Sequence, residues 1–321
     1  MLNMIFSTPG WFFPIVGVLF TFFATILLMK AFANKLPHDQ GRAFAVEGTL
    51  SRGKVRGAGI VFVLVFALAV FLYDQLRSEM IIYLAVIIVT MLTGFFDDAS
   101  SKPWSEYLKG ALDLLVAVVV AVTYLISHGN TFAILYPWSV SVTIPYWIAG
   151  LLIVVLVWTS INVTNCTDGV DGLSATLTII TLSSFAVCMG VSGTSTDITY
   201  ILFFITALVA YLWYNANPSS MLMGDAGSRA MGMMIAITAL LSGNVLLYIP
   251  FAIVMILDGG LGLLKVALLR FLKIKILVNI RCPLHDHARK TAEWSNTQVV
   301  FRFALIQFVV NLPFIMLTLY N

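Results

Sequence analysis

Charge is what this chain has least of: 18 Lys plus Arg and 15 Asp plus Glu in 321 residues, 10% in all. Soluble domains carry about 25%, so a water-facing globular surface is excluded. Cysteine is scarcer still. Cys166, Cys188 and Cys282 are odd in number and scattered, which excludes a disulfide framework and a zinc pattern and leaves small apolar filler. The start, MLNMIFSTPGWFF, has neither the basic opening nor the small-residue cleavage site of a signal peptide, so the first helix is expected to stay. Repeats, low-complexity tracts and long polar segments are also missing from the sequence, which predicts one integral membrane domain over 1–321.

Apolar residues are abundant, at 60%. They gather in about ten runs near the twenty-residue length of a bilayer span. The runs cover roughly 11–31, 57–73, 80–96, 110–127, 144–161, 173–190, 199–215, 229–242, 246–269 and 298–319. The predicted fold class is therefore all-α: a polytopic membrane protein of about ten transmembrane helices. Basic residues set its orientation. Lys35, Arg42, Arg52, Lys54 and Arg56 fill the first connection, and Arg270, Lys273, Lys275, Arg281, Arg289 and Lys290 fill the ninth. Lys102, Lys109 and Arg229 fall on the same side, against Arg77 alone on the other. The positive-inside rule then puts those connections in the cytoplasm and both termini outside. The net charge of +3 is concentrated on one membrane face and is no nucleic-acid signal.

The polar clusters share that face. They are "GFFDDASSKPW" with Asp97 and Asp98, "NVTNCTDGVDG" with Asn162, Asn165, Asp168 and Asp171, "WYNANPSSMLMGDAGSRAMG" with Asn215 and Asp225, and "PLHDH" with His285, Asp286 and His287. Each has a plain reading. Asp97-Asp98 suits a solvated helix end, Asp168 or Asp171 suits an N-cap, and "MGDAGS" suits a turn and cap. Capping accounts for one aspartate of the second cluster, not for two asparagines and two glycines besides. A transporter would spread polar groups through the midplane; here they crowd one interface.

Carboxylates crowded near a membrane cost free energy unless paired or metal-bound. Asp and Asn oxygens suit magnesium, which binds through one or two carboxylates together with substrate phosphates. A metal so held neutralises charge on a phosphate leaving group. Glycines beside Asp168, Asp171 and Asp225 permit close approach of a bulky anion. Lys54, Lys109, Arg281 and the histidines could hold a diphosphate or carboxylate. The residues alone point to metal-assisted phosphoryl-type chemistry at the cytoplasmic interface, with one lipid and one soluble substrate.

At "GFFDD" (94–98), "NVTNCTDGVDGL" (162–173), "YNANPSSMLMGDAGSRAMG" (214–232) and "PLHDH" (283–287) the chain resembles the polyprenyl-phosphate N-acetylhexosamine-1-phosphate transferases. The tail "WSNTQVVFRF" (294–303), and more loosely "LPHDQGRAFAVEGTLSRGK" (36–54), are similar to their phospho-N-acetylmuramoyl-pentapeptide transferase branch. That resemblance implies a magnesium-dependent reaction of peptidoglycan synthesis. UDP-MurNAc-pentapeptide and undecaprenyl phosphate would give undecaprenyl-diphospho-MurNAc-pentapeptide (lipid I) and UMP, at the cytoplasmic face of the bacterial inner membrane, in a homodimer. Carried over by motif, Asp225 would ligate magnesium with Asp168 beside it, and Asp97 and Asp98 would bind or activate the lipid phosphate. Asn165, Asp168 and Asp171 would contact metal and nucleotide, Asn215 and Leu222 would line the uridine pocket, and Lys109 would lie near the phosphates. His285 and His287 match two positions of a triple-histidine motif whose middle residue here is Asp286. The early stretch "GKVRGAGI" also departs from the family's pattern, leaving Lys54 without a carried-over role.

Two routes fit, direct attack by the lipid phosphate on the β-phosphate or a two-step path through an aspartyl-phosphate. Other readings stand beside this one: a sister transferase moving GlcNAc-1-phosphate, an intramembrane prenyltransferase, and a carrier using Asp113, Asp258 and Lys265 inside the spans.

Overall fold

A computed structural model describes residues 10–39, 41, 51–100, 102, 104–134, 140–193 and 197–320. Arg42 and most of the early 36–54 stretch lie outside the described residues. Every apolar run becomes helix: α1 Phe12–Phe32, α2 Gly59–Tyr73, α3 Ser78–Ala99, α4 Glu106–His128, α5 Tyr146–Thr167, α6 Leu173–Val191, α7 Ile198–Asn215 and α8 Gly224–Leu241. Four short pieces follow, α9 Tyr248–Phe251, α10 Ile253–Met255, α11 Leu261–Ala267 and α12 Leu284–Lys290, before the long α13 Asn296–Tyr320. The chain is a multi-pass membrane protein. Seven described helices (α1, α3, α4, α5, α6, α7 and α13) are long and apolar enough to cross a bilayer, or eight with one bent pair counted as a span.

The segments outside those seven are informative. Helix α2 has only 15 residues. Helix α8 is buried all round, from Ala226 to Leu241. A helix that touches only other helices needs no lipid-facing surface, so it tolerates Gly, Ser and Arg229. That arginine, expected at the interface, is 3% exposed and ion-paired to Asp113 of α4.

The run expected at 246–269 is broken, with Val245–Phe251 and Ile253–Leu272 meeting at 66°. Pro250 lacks an N–H donor, and a break frees further backbone groups that lipid cannot satisfy. Neighbouring helices satisfy them. Gln307 of α13 accepts from Val254 N at 2.9 Å and donates to Pro250 O at 2.9 Å, and Thr181 of α6 donates to Phe251 O at 2.6 Å. Beyond the break the helix widens into π turns at Ile256–Gly260 and Leu268–Leu272.

The all-α expectation has one local departure. Between α4 and α5 the chain forms an antiparallel hairpin of β1 Thr131–Ile134 and β2 Val140–Thr143. Its second strand, Val-Ser-Val-Thr, is mostly β-branched, and the pair was too short to read against the flanking spans. The hairpin joins the ends of α4 and α5 opposite to those that carry Lys109 and Asp168. At the latter end the C-termini of α3, α5 and α7 meet the N-termini of α4, α6 and α8, which gathers the polar motifs.

Candidate functional site

Asp97 and Asp98 end α3, and Asp225 lies in the first turn of α8. Glycine lets the two helices meet. A Cβ on Gly94 would fall 2.4 Å from the carbonyl carbon of Asp225, and one on Gly224, at φ +67°, would fall 2.1 Å from Asp98 Oδ2. One oxygen from each of Asp97, Asp98 and Asp225 lies within 4.8 Å of the others.

Three like charges this close require compensation. Arg56, just before α2, reaches Asp98 Oδ1 at 2.7 Å, Asp225 Oδ1 at 3.5 Å and Asp39 Oδ1 at 2.9 Å. Burial opposes the guanidinium charge, but Asp98, Asp225 and Asp39 outweigh it and hold the Arg56 pKa above its ordinary value. From α4, Lys109 pairs with Asp97 and lies 3.3 Å from Asp225 Oδ2. The backbone adds donors, Trp104 N to Asp97 Oδ1 at 2.7 Å and Ala226 N to Asp98 Oδ2 at 3.3 Å. Three carboxylates against two nearby cations leave an oxygen-only donor set with surplus negative charge, which fits a hard divalent ion. Arg56 was missed in the sequence as a site residue because it stood in a basic connection where any cation serves orientation.

The second motif lies alongside. Asn165 Nδ2 donates to Ser228 Oγ at 2.9 Å, and Ser228 Oγ to Gly224 O at 3.1 Å, so α5 grips the first turn of α8. Asp171 Oδ2 accepts from Ser219 N at 3.0 Å and pairs with Lys54 Nζ at 3.4 Å, which gives Lys54 a definite partner. Asn215 is buried and spends both ends of its amide on backbone, Oδ1 on Gly172 N at 2.9 Å and Nδ2 on Met221 O at 2.8 Å. Leu222 N donates to Val55 O at 2.7 Å and its carbonyl accepts from Ala58 N at 3.0 Å. Asn215 and Leu222 thus brace the loops that surround the carboxylates. Asp168 stands outside the three-carboxylate group: it closes α5 in a turn, its N–H bonded back to Asn165 O at 3.2 Å.

The histidine motif forms a third patch. His285 is buried, with Nδ1 2.8 Å from Asp258 Oδ2 and Nε2 3.7 Å from Asp286 Oδ1. Asp286 Oδ1 accepts from Arg289 Nη2 at 2.6 Å, and the same nitrogen donates to Gly169 O at 3.3 Å. His287 sits two positions on, about 200° round the helix, and its Nδ1 accepts from Arg281 N at 3.4 Å. The two histidines therefore serve different surroundings.

Comparison with known proteins identifies the family. A sequence profile described as "Glycosyl transferase family 4" matches residues 80–243. The phospho-N-acetylmuramoyl-pentapeptide-transferase of Treponema pallidum (strain Nichols) is 40% identical over 309 residues, covering 89% of this chain and 84% of that protein. That of Helicobacter acinonychis (strain Sheeba) is 26% identical over 330 residues, 92% and 91% of the two chains. That of Wolbachia pipientis wMel is 25% identical over 266 residues, 79% and 81%. The chain belongs to glycosyl transferase family 4 and, within it, to the phospho-N-acetylmuramoyl-pentapeptide-transferases.

Proposed function

We propose that the chain transfers phospho-MurNAc-pentapeptide from UDP-MurNAc-pentapeptide to undecaprenyl phosphate, releasing UMP and forming lipid I at the cytoplasmic face of the membrane. The observation that carries the reading is the convergence of Asp97, Asp98 and Asp225 with Arg56 and Lys109 at the end of the bundle that holds the basic connections. Asp97, Asp98 and Asp225 would hold magnesium, which when bound neutralises charge on the diphosphate.

Lys109 and Arg56 place two cations where phosphate oxygens gather, and Lys54 beside Asp171 adds a third at the rim. The acceptor is already a nucleophile, since a phosphate monoester's second pKa is about 6. Its oxygen attacks the β-phosphorus. The bond from that phosphorus to the oxygen bridging to the α-phosphate breaks, and UMP departs with the electron pair. Direct attack is favoured over an aspartyl-phosphate. Each oxygen of Asp97 and Asp98 already lies beside a cation or accepts from a backbone N–H group, and such stabilised carboxylates are weak nucleophiles. They align the acceptor phosphate through the cations that they hold, and the acceptor attacks already ionised. A homodimer, implied by family likeness, belongs to the same proposal.

The test is lipid product and UMP from purified protein, with UDP-MurNAc-pentapeptide or UDP-GlcNAc as donor, with magnesium or chelator. Product from the first donor, abolished by chelator, is expected. Turnover of UDP-GlcNAc alone would assign the chain to the sister reaction.

A further inference from the structure

Asp258 is a carboxylate that the reaction above leaves unused. It lies on the π turn Ile256–Gly260, inside the broken apolar helix, and is 0% exposed. An ionisable group at such a place is costly and is kept for a partner or a function. Both of its oxygens go to one residue: Oδ1 accepts the backbone N–H of His285 at 2.7 Å, and Oδ2 lies 2.8 Å from His285 Nδ1. Single-turn π insertions re-aim a side chain and occur often at functional sites. Here the turn aims Asp258 across at α12.

The two contacts do different work. The bond to His285 N anchors the first turn of α12, and any acceptor at Oδ1 would serve. The contact with Nδ1 sets the imidazole. A carboxylate oxygen facing Nδ1 at 2.8 Å favours the tautomer with its hydrogen on that nitrogen, and Nε2 is presented on the opposite edge of the ring. That edge rests on the Asp168–Gly172 loop: a Cβ on Gly169 would fall 2.2 Å from Nε2. Arg289, bonded to Asp286 and to Gly169 O, flanks the same edge.

We propose that Asp258 is the positioning residue of His285, fixing its tautomer and ring orientation so that Nε2 meets the donor at the loop carrying Asp168 and Asp171. This rests on the transferase reading and adds to it that His285, one of the histidines that could hold the donor's diphosphate, touches substrate.

The experiment has a spectroscopic arm and a kinetic arm on the full-length purified protein. The chain has 4 histidines, so 15N-histidine labelling with H285Q as the assignment control resolves His285. An Nδ1–H signal is expected in the wild type and its loss in D258N, whose amide can donate to Nδ1. An Nδ1 without hydrogen in the wild type overturns the proposal. In the kinetic arm D258N lowers kcat about 10- to 100-fold, with KM for the nucleotide donor within about threefold. D258E recovers most of the loss, and D258N/H285Q is no slower than H285Q alone. Multiplying losses in the double variant, or wild-type kcat in D258N, overturns it. A wild-type protein that makes no lipid product sinks the transferase reading instead, and leaves the spectroscopic arm still readable.

Discussion

Asp113 and Arg229 form an ion pair one helical turn below Lys109 and Asp225, with the charges exchanged between the two helices. Helix α4 supplies the cation above and the anion below; α8 supplies the reverse. Asn162 of α5 adds a contact at 3.4 Å to Asp113 Oδ2. The pair is nearly water-free, each side chain 3% exposed. Removing one member strands a buried charge, which costs about 3–5 kcal/mol, whereas replacing both by apolar groups of similar size is often neutral or stabilising. D113N and R229M are therefore expected to unfold at markedly lower temperature, and D113L/R229M near the wild-type midpoint. Thermal unfolding in one detergent checks this.

The break at Ala252 makes a second prediction. Gln307 serves both Val254 N and Pro250 O. Gln307→Leu leaves Val254 N without its acceptor in an apolar setting and takes a donor from Pro250 O, a loss of about 1–3 kcal/mol. Gln307→Glu keeps only the acceptor and is expected to fall between. Denaturation of the three proteins at one pH gives the order.

Asp74, just beyond the end of α2, predicts a pH dependence. Burial, opposed by its bond from Gln75 N and joined by repulsion from Asp197, raises its pKa from 3.8 to about 6. A carboxyl with a raised folded-state pKa binds its proton more tightly in the fold than when unfolded. Its contribution is therefore present below about pH 4 and lost as pH rises through about 6. D74N is expected to be more stable than the wild type at pH 7, with the difference closing toward pH 4 in paired melts.

Arg56 predicts a loss of function that no motif in the sequence announced. Its guanidinium spans Asp39, Asp98 and Asp225. Arg56→Met removes the compensation and a phosphate-facing cation together, and turnover is expected to drop about 100-fold or more. Arg56→Lys restores little, because one ammonium cannot bridge three carboxylates. Initial rates per folded protein measure both.

The site was legible in the sequence as far as chemistry stands out against an apolar background. Asp97, Asp98 and Asp225 stood out because their motifs crowd one face of an apolar chain, though each alone had a plain reading, and Lys109 was placed near the phosphates by motif likeness. What composition could not show is which groups neutralise which. Arg56 and Arg229 looked like ordinary interface cations, yet one bridges the carboxylates and the other is buried in a charge pair. Hydropathy likewise registers residues and not neighbours, so the enclosure of α8 and the break at Ala252 were hidden. The broken helix owes its satisfied backbone to Gln307 and Thr181, which are 55 residues downstream of the break and 71 upstream of it. Asp168 joined Asp225 only by motif likeness. In the fold its backbone closes α5, and the metal-sized grouping forms from α3 and α8 instead.

The central claim is that Asp97, Asp98 and Asp225 form one divalent-ion pocket. Manganese binding, followed by electron paramagnetic resonance on the purified protein, tests it most directly. One ion per chain that magnesium displaces is expected, with binding lost in D225N and weakened in D97N. Undiminished binding in D225N would contradict it.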